Sequence, residues 1–207
     1  MKSLLKINGF LPFLAIMFIN ASVDLGHKIT IQNVLVKSAD SGALIALTSL
    51  VNLLILLPYV FLFSASGYLN DKFSRTRITR ICAKLGVALT ALITLGYACG
   101  WFYFAFFMTI LLAAQSAIYS PAKYGLIKKI VGGEKLGAAN GIVQAFTIVA
   151  ILLGSFVFSA IFEMYAAQSM DAGEMIKSVW FIGAILFVCS VAETIFTFKI
   201  PFFEATD

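Results

Sequence analysis

Six long apolar runs, each parted from the next by a few polar residues, divide the chain of 207 residues. A run of about twenty apolar residues is what a helix needs to cross the hydrocarbon core of a bilayer. The pattern therefore predicts membrane-spanning helices at 9–36, 41–65, 78–98, 102–120, 136–162 and 176–200, an all-α, polytopic membrane protein with a single six-helix domain. Local signals set the limits. Pro12 is tolerable in the first turn of the first helix, Asp40 is placed to cap the second, and the fourth is expected to stop at Ser120, because the residue before Pro121 disfavours helical geometry. The aromatic cluster opening at Trp101 reads as an interfacial belt at the start of that helix. Gly137 and Gly141 in the fifth are four apart, a spacing that lets a neighbouring backbone come close.

The first helix either ends near Asp24, His27 and Lys28 or continues to Val36. In the longer reading Asn20, Asp24, His27 and Lys28 share one face with Ile31. A polar stripe against lipid is costly, so this one is expected to face other helices or a watery cavity. Asn52 in the second helix, Gln115 in the fourth, and Asn140 and Gln144 in the fifth also lie within spans. These eight residues are the candidate substrate or coupling positions, although the lone amides serve as well for bonds between helices. Asp24 and Lys28, with the acid first, are spaced for an intrahelical ion pair, since either charge alone in a span is expensive.

Composition agrees with the pattern: 61% of residues are hydrophobic and 12% charged, against roughly a quarter charged in soluble domains. The net charge of +5 does not form a basic face for nucleic acid, because the cations cluster between apolar runs. One cluster is the stretch Gly67-Tyr-Leu-Asn-Asp71-Lys72-Phe-Ser-Arg75-Thr-Arg77; the other, holding Lys123, Lys128, Lys129 and Lys135, is expected to join the fourth and fifth helices. Of the 15 Lys and Arg, all but Lys28, Lys37 and Lys177 fall on the side of the second and fourth connections. That bias places both termini in the cytoplasm, with residues 66–80 and 120–136 inside and 163–175 outside.

The residues supply no enzyme. Cys82, Cys99 and Cys189 stand singly in apolar stretches, and a single histidine, His27, cannot build a multi-histidine metal site. No metal or other cofactor is called for. His27 reads first as a satisfied histidine beside Asp24, with proton transfer as the alternative.

The stretch from Gly67 to Arg77 resembles the motif between the second and third helices of the major facilitator superfamily, which reads Gly-x-x-x-Asp-(Arg/Lys)-x-Gly-(Arg/Lys)-(Arg/Lys). Gly67, Asp71, Lys72 and Arg75 match it; Ser74 replaces the second glycine, Thr76 the last basic position, and Arg77 stands one place on. The resemblance implies a gating loop in which Gly67 allows close helix approach, while Asp71 and its basic neighbours Lys72, Arg75 and Arg77 pin one half of the transporter against the other. Ser74 resists the positive φ that glycine would take. Two further segments, from Tyr119 to Gly125 and from Ala139 to Ser155, resemble the bacterial lysophospholipid transporter branch, where Asp24 falls at an acidic position of the first helix. Helix four lacks the Arg-x-x-x-Gly pattern of proton-coupled members, and helix five the Gly-Pro motif of antiporters. The resemblance implies the N-terminal half of an inner-membrane lysophospholipid transporter working by alternating access. It implies as partners the substrate, membrane lipids, a C-terminal six-helix half or a second copy, and a possible fused acyltransferase. The alternatives are a facilitator for another small amphiphile or solute and a membrane anchor for a phospholipid acyltransferase.

Overall fold

A computed structural model of the protein describes residues 2–38, 44–169 and 171–204. Among them the apolar runs become α2 (Phe10–Ser38), α3 (Leu44–Lys72), α4 (Arg75–Ala98), α5 (Phe102–Val131), α6 (Leu136–Tyr165) and α8 (Trp180–Phe198). Two short helices accompany them, α1 (Lys2–Leu5) and α7 (Ala172–Ser178). All six long helices have the length and hydropathy to cross a membrane. The cap expected from Asp40 lies outside the described residues.

Several boundaries differ from the sequence expectation, each for a local reason. α2 runs through Asp24, His27 and Lys28 without a break. α3 continues past Ser64 to Lys72, so the polar stretch from Gly67 is helical for most of its length and the turn into α4 shrinks to Phe73 and Ser74. Ser74 has φ −54° and caps α4 by accepting the backbone N–H of Arg77, so this position carries no positive φ and the missing glycine costs nothing. The sixth apolar run is split at Val179 into α7, capped by the Asp171 carboxylate on the Glu174 N–H, and α8.

The largest difference is in α5, which does not stop at Ser120 but passes through Pro121 to Val131. A proline inside a helix removes the hydrogen bond to the carbonyl four residues back, here that of Ala117. Ser66 of α3 replaces it, its hydroxyl donating to the Ala117 carbonyl at 3.0 Å. A neighbouring hydroxyl commonly re-satisfies a freed carbonyl inside a membrane. The continuation of α5 has a functional effect: Lys123, expected in a basic loop, is carried inside the bundle and is only 4% exposed.

Helix contacts are closest where glycine faces a neighbour. A Cβ on Gly183 of α8 would stand 2.9 Å from the Thr94 Cα of α4, and one on Gly26 of α2 would meet the side chains of Phe158 and Leu186. Gly137 and Gly141, by contrast, have no atom of another helix within 4 Å of where a Cβ would be; among the described residues the close approach expected there is not made.

Two apolar cores are stacked along the helices. One gathers Phe10, Phe13, Leu14, Ile78, Leu126 and Val143, the other Val34, Tyr97, Phe102, Phe158, Phe162 and Ile182. Between their levels, α2 turns Asn20 inward, α5 contributes Gln115 and Ser116, and α8 contributes Ser190 and Glu193, all buried. Asn20 and Asp24 stand about 15–20 Å from the start of α2 at 1.5 Å per residue, close to the middle of a bilayer core about 30 Å thick.

At the end of the bundle that holds the α3–α4 turn, the segment after α8 is strapped down. Ser74 Oγ donates to the Phe203 carbonyl at 2.5 Å, the Phe203 N–H donates to Thr76 Oγ1 at 3.2 Å, and Lys129 Nζ donates to the Glu204 carbonyl at 2.9 Å. The two motif positions that depart from the facilitator pattern, Ser74 and Thr76, thus hold this segment together with Lys129.

Candidate functional site

The polar stripe of α2 opens onto a cavity of about 260 Å³ between α2, α3, α5 and α6. Asn20, Asp24, His27 and Lys28 all line it, together with Tyr59 of α3 and Ser116, Ser120, Lys123 and Tyr124 of α5. Leu25, Ile55, Leu112 and Ile151 give it an apolar wall beside these groups. The volume falls just below the range of complete small-molecule sites, about 300–1,000 Å³.

The chemistry centres on Asp24 and Lys123. Ser116 Oγ donates to Asp24 Oδ2 at 2.7 Å, while Oδ1 is buried with no partner. Leaving a buried carboxylate oxygen unbonded is costly, so this atom marks a position where a cationic or hydrogen-bonding ligand gains most. Lys123 Nζ donates to Asn20 Oδ1 and lies over the Tyr119 ring, 4.1 Å from its centroid. Behind that ring, Tyr119 Oη donates to Glu193 Oε1 at 2.8 Å, and Glu193 is 3% exposed. Lys123 is within electrostatic reach of both Asp24 and Glu193. Two carboxyl groups and one ammonium therefore share the mid-membrane layer. Buried charges persist only when paired or hydrogen-bonded, and Lys123 is the cation that both acids share.

The other candidates are placed as follows. His27 is fully buried and satisfied on both ring nitrogens, Nδ1 with Tyr97 Oη at 2.8 Å and Nε2 with Thr109 Oγ1 at 3.1 Å, tying α2 to α4 and α5. Lys28 lines the cavity but forms no ion pair with Asp24. Gln115 donates to the Cys82 carbonyl at 2.9 Å and holds α5 to α4. Asn52 is exposed on α3 and receives Gln32 Nε2 at 3.5 Å. Asn140 and Gln144 are exposed on α6 and do not line the cavity, although they lie on the same helix face as Thr147 and Ile151, which do. Of the residues expected to gate, a Cβ on Gly67 at the end of α3 would meet no neighbouring helix within 4 Å among the described residues, Asp71 and Arg77 are exposed, Lys72 donates to Tyr68 Oη at 3.0 Å, and Arg75 Nη1 at the start of α4 reaches the Gly125 carbonyl of α5 at 2.9 Å. A Cβ on Gly125 would stand 2.6 Å from that guanidinium, so glycine there makes room for Arg75.

Sequence reasoning missed Lys123 as a site residue and did not single out Glu193 at all. The first was hidden by reading Pro121 as a helix end. The second carried a usable signal, a lone acid in the middle of an apolar run, where an ionisable residue marks a functional position by default.

Comparison with known proteins agrees with the architecture. Residues 7–204 match the family model described as Major Facilitator Superfamily. The chain is similar to the lysophospholipid transporter LplT of Serratia proteamaculans, 34% identical over 133 residues, which are 64% of this chain and 28% of that protein. It is also similar to those of Cronobacter sakazakii, 32% identical over 134 residues covering 65% and 28%, and Yersinia enterocolitica, 32% over 137 residues covering 66% and 28%. The match thus spans little more than a quarter of the length of these relatives. No solved structure matches.

Proposed function

We propose that this chain, which belongs to the Major Facilitator Superfamily, forms the N-terminal six-helix half of a bacterial inner-membrane transporter that moves lysophospholipids by alternating access. Membership in that family makes it a multi-pass membrane transporter rather than an enzyme. The observation that carries the substrate reading is the cavity itself, where an unpartnered Asp24 oxygen and the Lys123 layer stand beside an apolar wall. A lysophospholipid presents a phosphodiester, a polar head and one acyl chain. Lys123 and Lys28 are suited to the phosphodiester, Asp24 Oδ1 to an ammonium head or a coupling cation, and Leu25, Ile55 and Ile151 to the first part of the chain. The names of the relatives point to the same substrate class.

A second half completes the site in this reading. In the most apolar windows of α3 and α6 only 17% and 22% of residues are buried, and large side chains such as Phe61, Phe63, Leu152 and Phe156 are exposed on them. Facilitators bind substrate between two six-helix halves near the midplane. The test is uptake of an acyl-labelled lysophospholipid into proteoliposomes. The chain joined to, or co-expressed with, a matching second half is expected to transport and the chain alone is not; Asp24→Asn is expected to cut uptake ~10-fold or more, the worth of one charge-assisted bond. Uptake unchanged by Asp24→Asn overturns the site, and transport of simple sugars in preference to lysolipid overturns the substrate.

Orientation follows from the basic end of the bundle. Lys128, Lys129 and Lys135 lie at the end that also holds the α3–α4 turn, and Glu163, Asp171 and Glu174 lie at the other. The positive-inside bias supports an orientation with the first end, and both termini with it, in the cytoplasm. In a background free of native cysteines, a membrane-impermeant maleimide added outside is expected to label Gln168→Cys and not Gly133→Cys, both positions being exposed. The reverse pattern inverts the topology.

A further inference from the structure

On the outer surface of the bundle, α4 and the end of α8 form a groove lined by Arg77, Arg80, Ile81, Lys84, Phe198 and Phe202. The three cations recur along one face of the first turns of α4, at the basic end, and no carboxylate among the described residues lines the groove. Arg80 is fixed in place: its guanidinium donates to the Thr197 and Ile200 carbonyls at 3.4 and 3.2 Å and lies over the rings of Phe198 and Phe202, 5.0 and 5.6 Å from their centroids. Lys84 Nζ also lies over Phe198, at 5.6 Å. Phe202 is held in the wall because the strap that follows it is bonded to Ser74 and Thr76.

Below the groove the same surface is apolar, with Leu85, Leu92 and Leu95 of α4 and Val188 and Ile195 of α8 exposed. The groove therefore sits where the hydrocarbon of a membrane gives way to its head groups, with cations and aromatic rings together at that level. Basic pockets between helices at this level attract anionic head groups, and the N-terminal turns of α4 add the positive end of the helix dipole.

We propose that this groove binds the head group of an anionic phospholipid from the adjoining leaflet. The phosphate meets Arg77 and Lys84, Arg80 serves as the fixed floor, and the acyl chains run along Leu85 and Ile195. The site is separate from the cavity and does not depend on what the cavity carries. A lipid bound there bridges α4 to the strap through Phe202.

The test is native mass spectrometry of the protein released from mixed micelles holding equal amounts of phosphatidylglycerol and phosphatidylcholine. The parent is expected to retain phosphatidylglycerol preferentially. Arg77→Ala with Lys84→Ala is expected to weaken that retention ~10-fold or more, each cation near a charged lipid surface contributing substantially, while Lys135→Ala leaves it unchanged. The exchange Arg77→Lys with Lys84→Arg keeps both charges and is expected to keep the lipid, which separates loss of binding from loss of fold. Equal retention by the parent and the double alanine variant, or no preference for the anionic lipid, overturns the proposal. Displacement of the lipid by inorganic phosphate at millimolar concentration overturns it too, since the groove would then be a site for free phosphate.

Discussion

Lys123→Met, in a transporter that contains this half, is expected to abolish lysophospholipid uptake, a loss of ~100-fold or more, and to lower the melting temperature; adding Glu193→Gln is expected to restore the melting temperature but not the uptake. Asp24 and Glu193 share the single ammonium of Lys123 in the mid-membrane layer, and removing one member of a buried charge set leaves the others uncompensated at about 3–5 kcal/mol. Met keeps the length of the side chain without the charge, so packing against the Tyr119 ring is largely retained. Neutralising Glu193, which still accepts from Tyr119 Oη as an amide oxygen, removes one excess negative charge and with it much of the destabilisation. Uptake stays low because the ammonium bonded to Asn20 is gone, and Lys28, the other cation lining the cavity, forms no ion pair with Asp24. A double variant that regains both stability and uptake would show that Lys123 only balances charge, and the transport role assigned to it would be lost.

Gly183→Leu should produce the largest purely structural effect, about 3 kcal/mol of destabilisation, the upper part of the range for overpacking. Its Cβ would stand 2.9 Å from the Thr94 Cα and 3.2 Å from Thr94 Oγ1, so the obstacle is backbone and α4 must move away from α8. That shift also disturbs Arg80, whose guanidinium caps the end of α8. Gly137→Leu is the matched control: the position is helical and open, and the change is expected to stay within about 0.5 kcal/mol. Thermal unfolding in one detergent compares the two. Equal shifts would mean that helix propensity, and not the α4–α8 approach, governs the response.

Which parts of this protein could be read from its residues follows from how far each signal reaches. Long apolar runs report burial in lipid directly, so the six helices were legible, and the period of the polar stripe on α2 was enough to bring Asn20, Asp24, His27 and Lys28 to one cavity. Pairing between helices was not legible. Asp24 is as well spaced for Lys28 as any helical pair, yet its neighbours are Ser116 and Lys123 of α5, ninety-odd positions away in the chain. Asn140 and Gln144 share a helix face with Thr147 and Ile151, which do line the cavity, but nothing local says that the cavity stops short of the first two. Pro121 misled because the rule that proline ends a helix describes an isolated helix; the hydroxyl that overrides it comes from Ser66, on another helix.

Pro121 leaves α5 one backbone bond short, and Ser66 supplies the replacement from outside the helix. Considered as a beam, α5 is weakest between Ala117 and Pro121, and its stiffness there belongs to α3. A displacement of α3 beyond the reach of that hydroxyl, about 1 Å, frees the pivot. From Pro121 to Val131 the outer arm is about 15 Å long at 1.5 Å per residue. A tilt of about 20°, the lower limit of a proline kink, carries its tip about 5 Å. The backbone at Lys123, only two residues beyond the pivot, travels about 1 Å. The arm is a lever with its short side at the charge layer and its long side at the basic end, so a movement large enough to rearrange the turn that follows Val131 shifts the backbone at Lys123 far less than the tip.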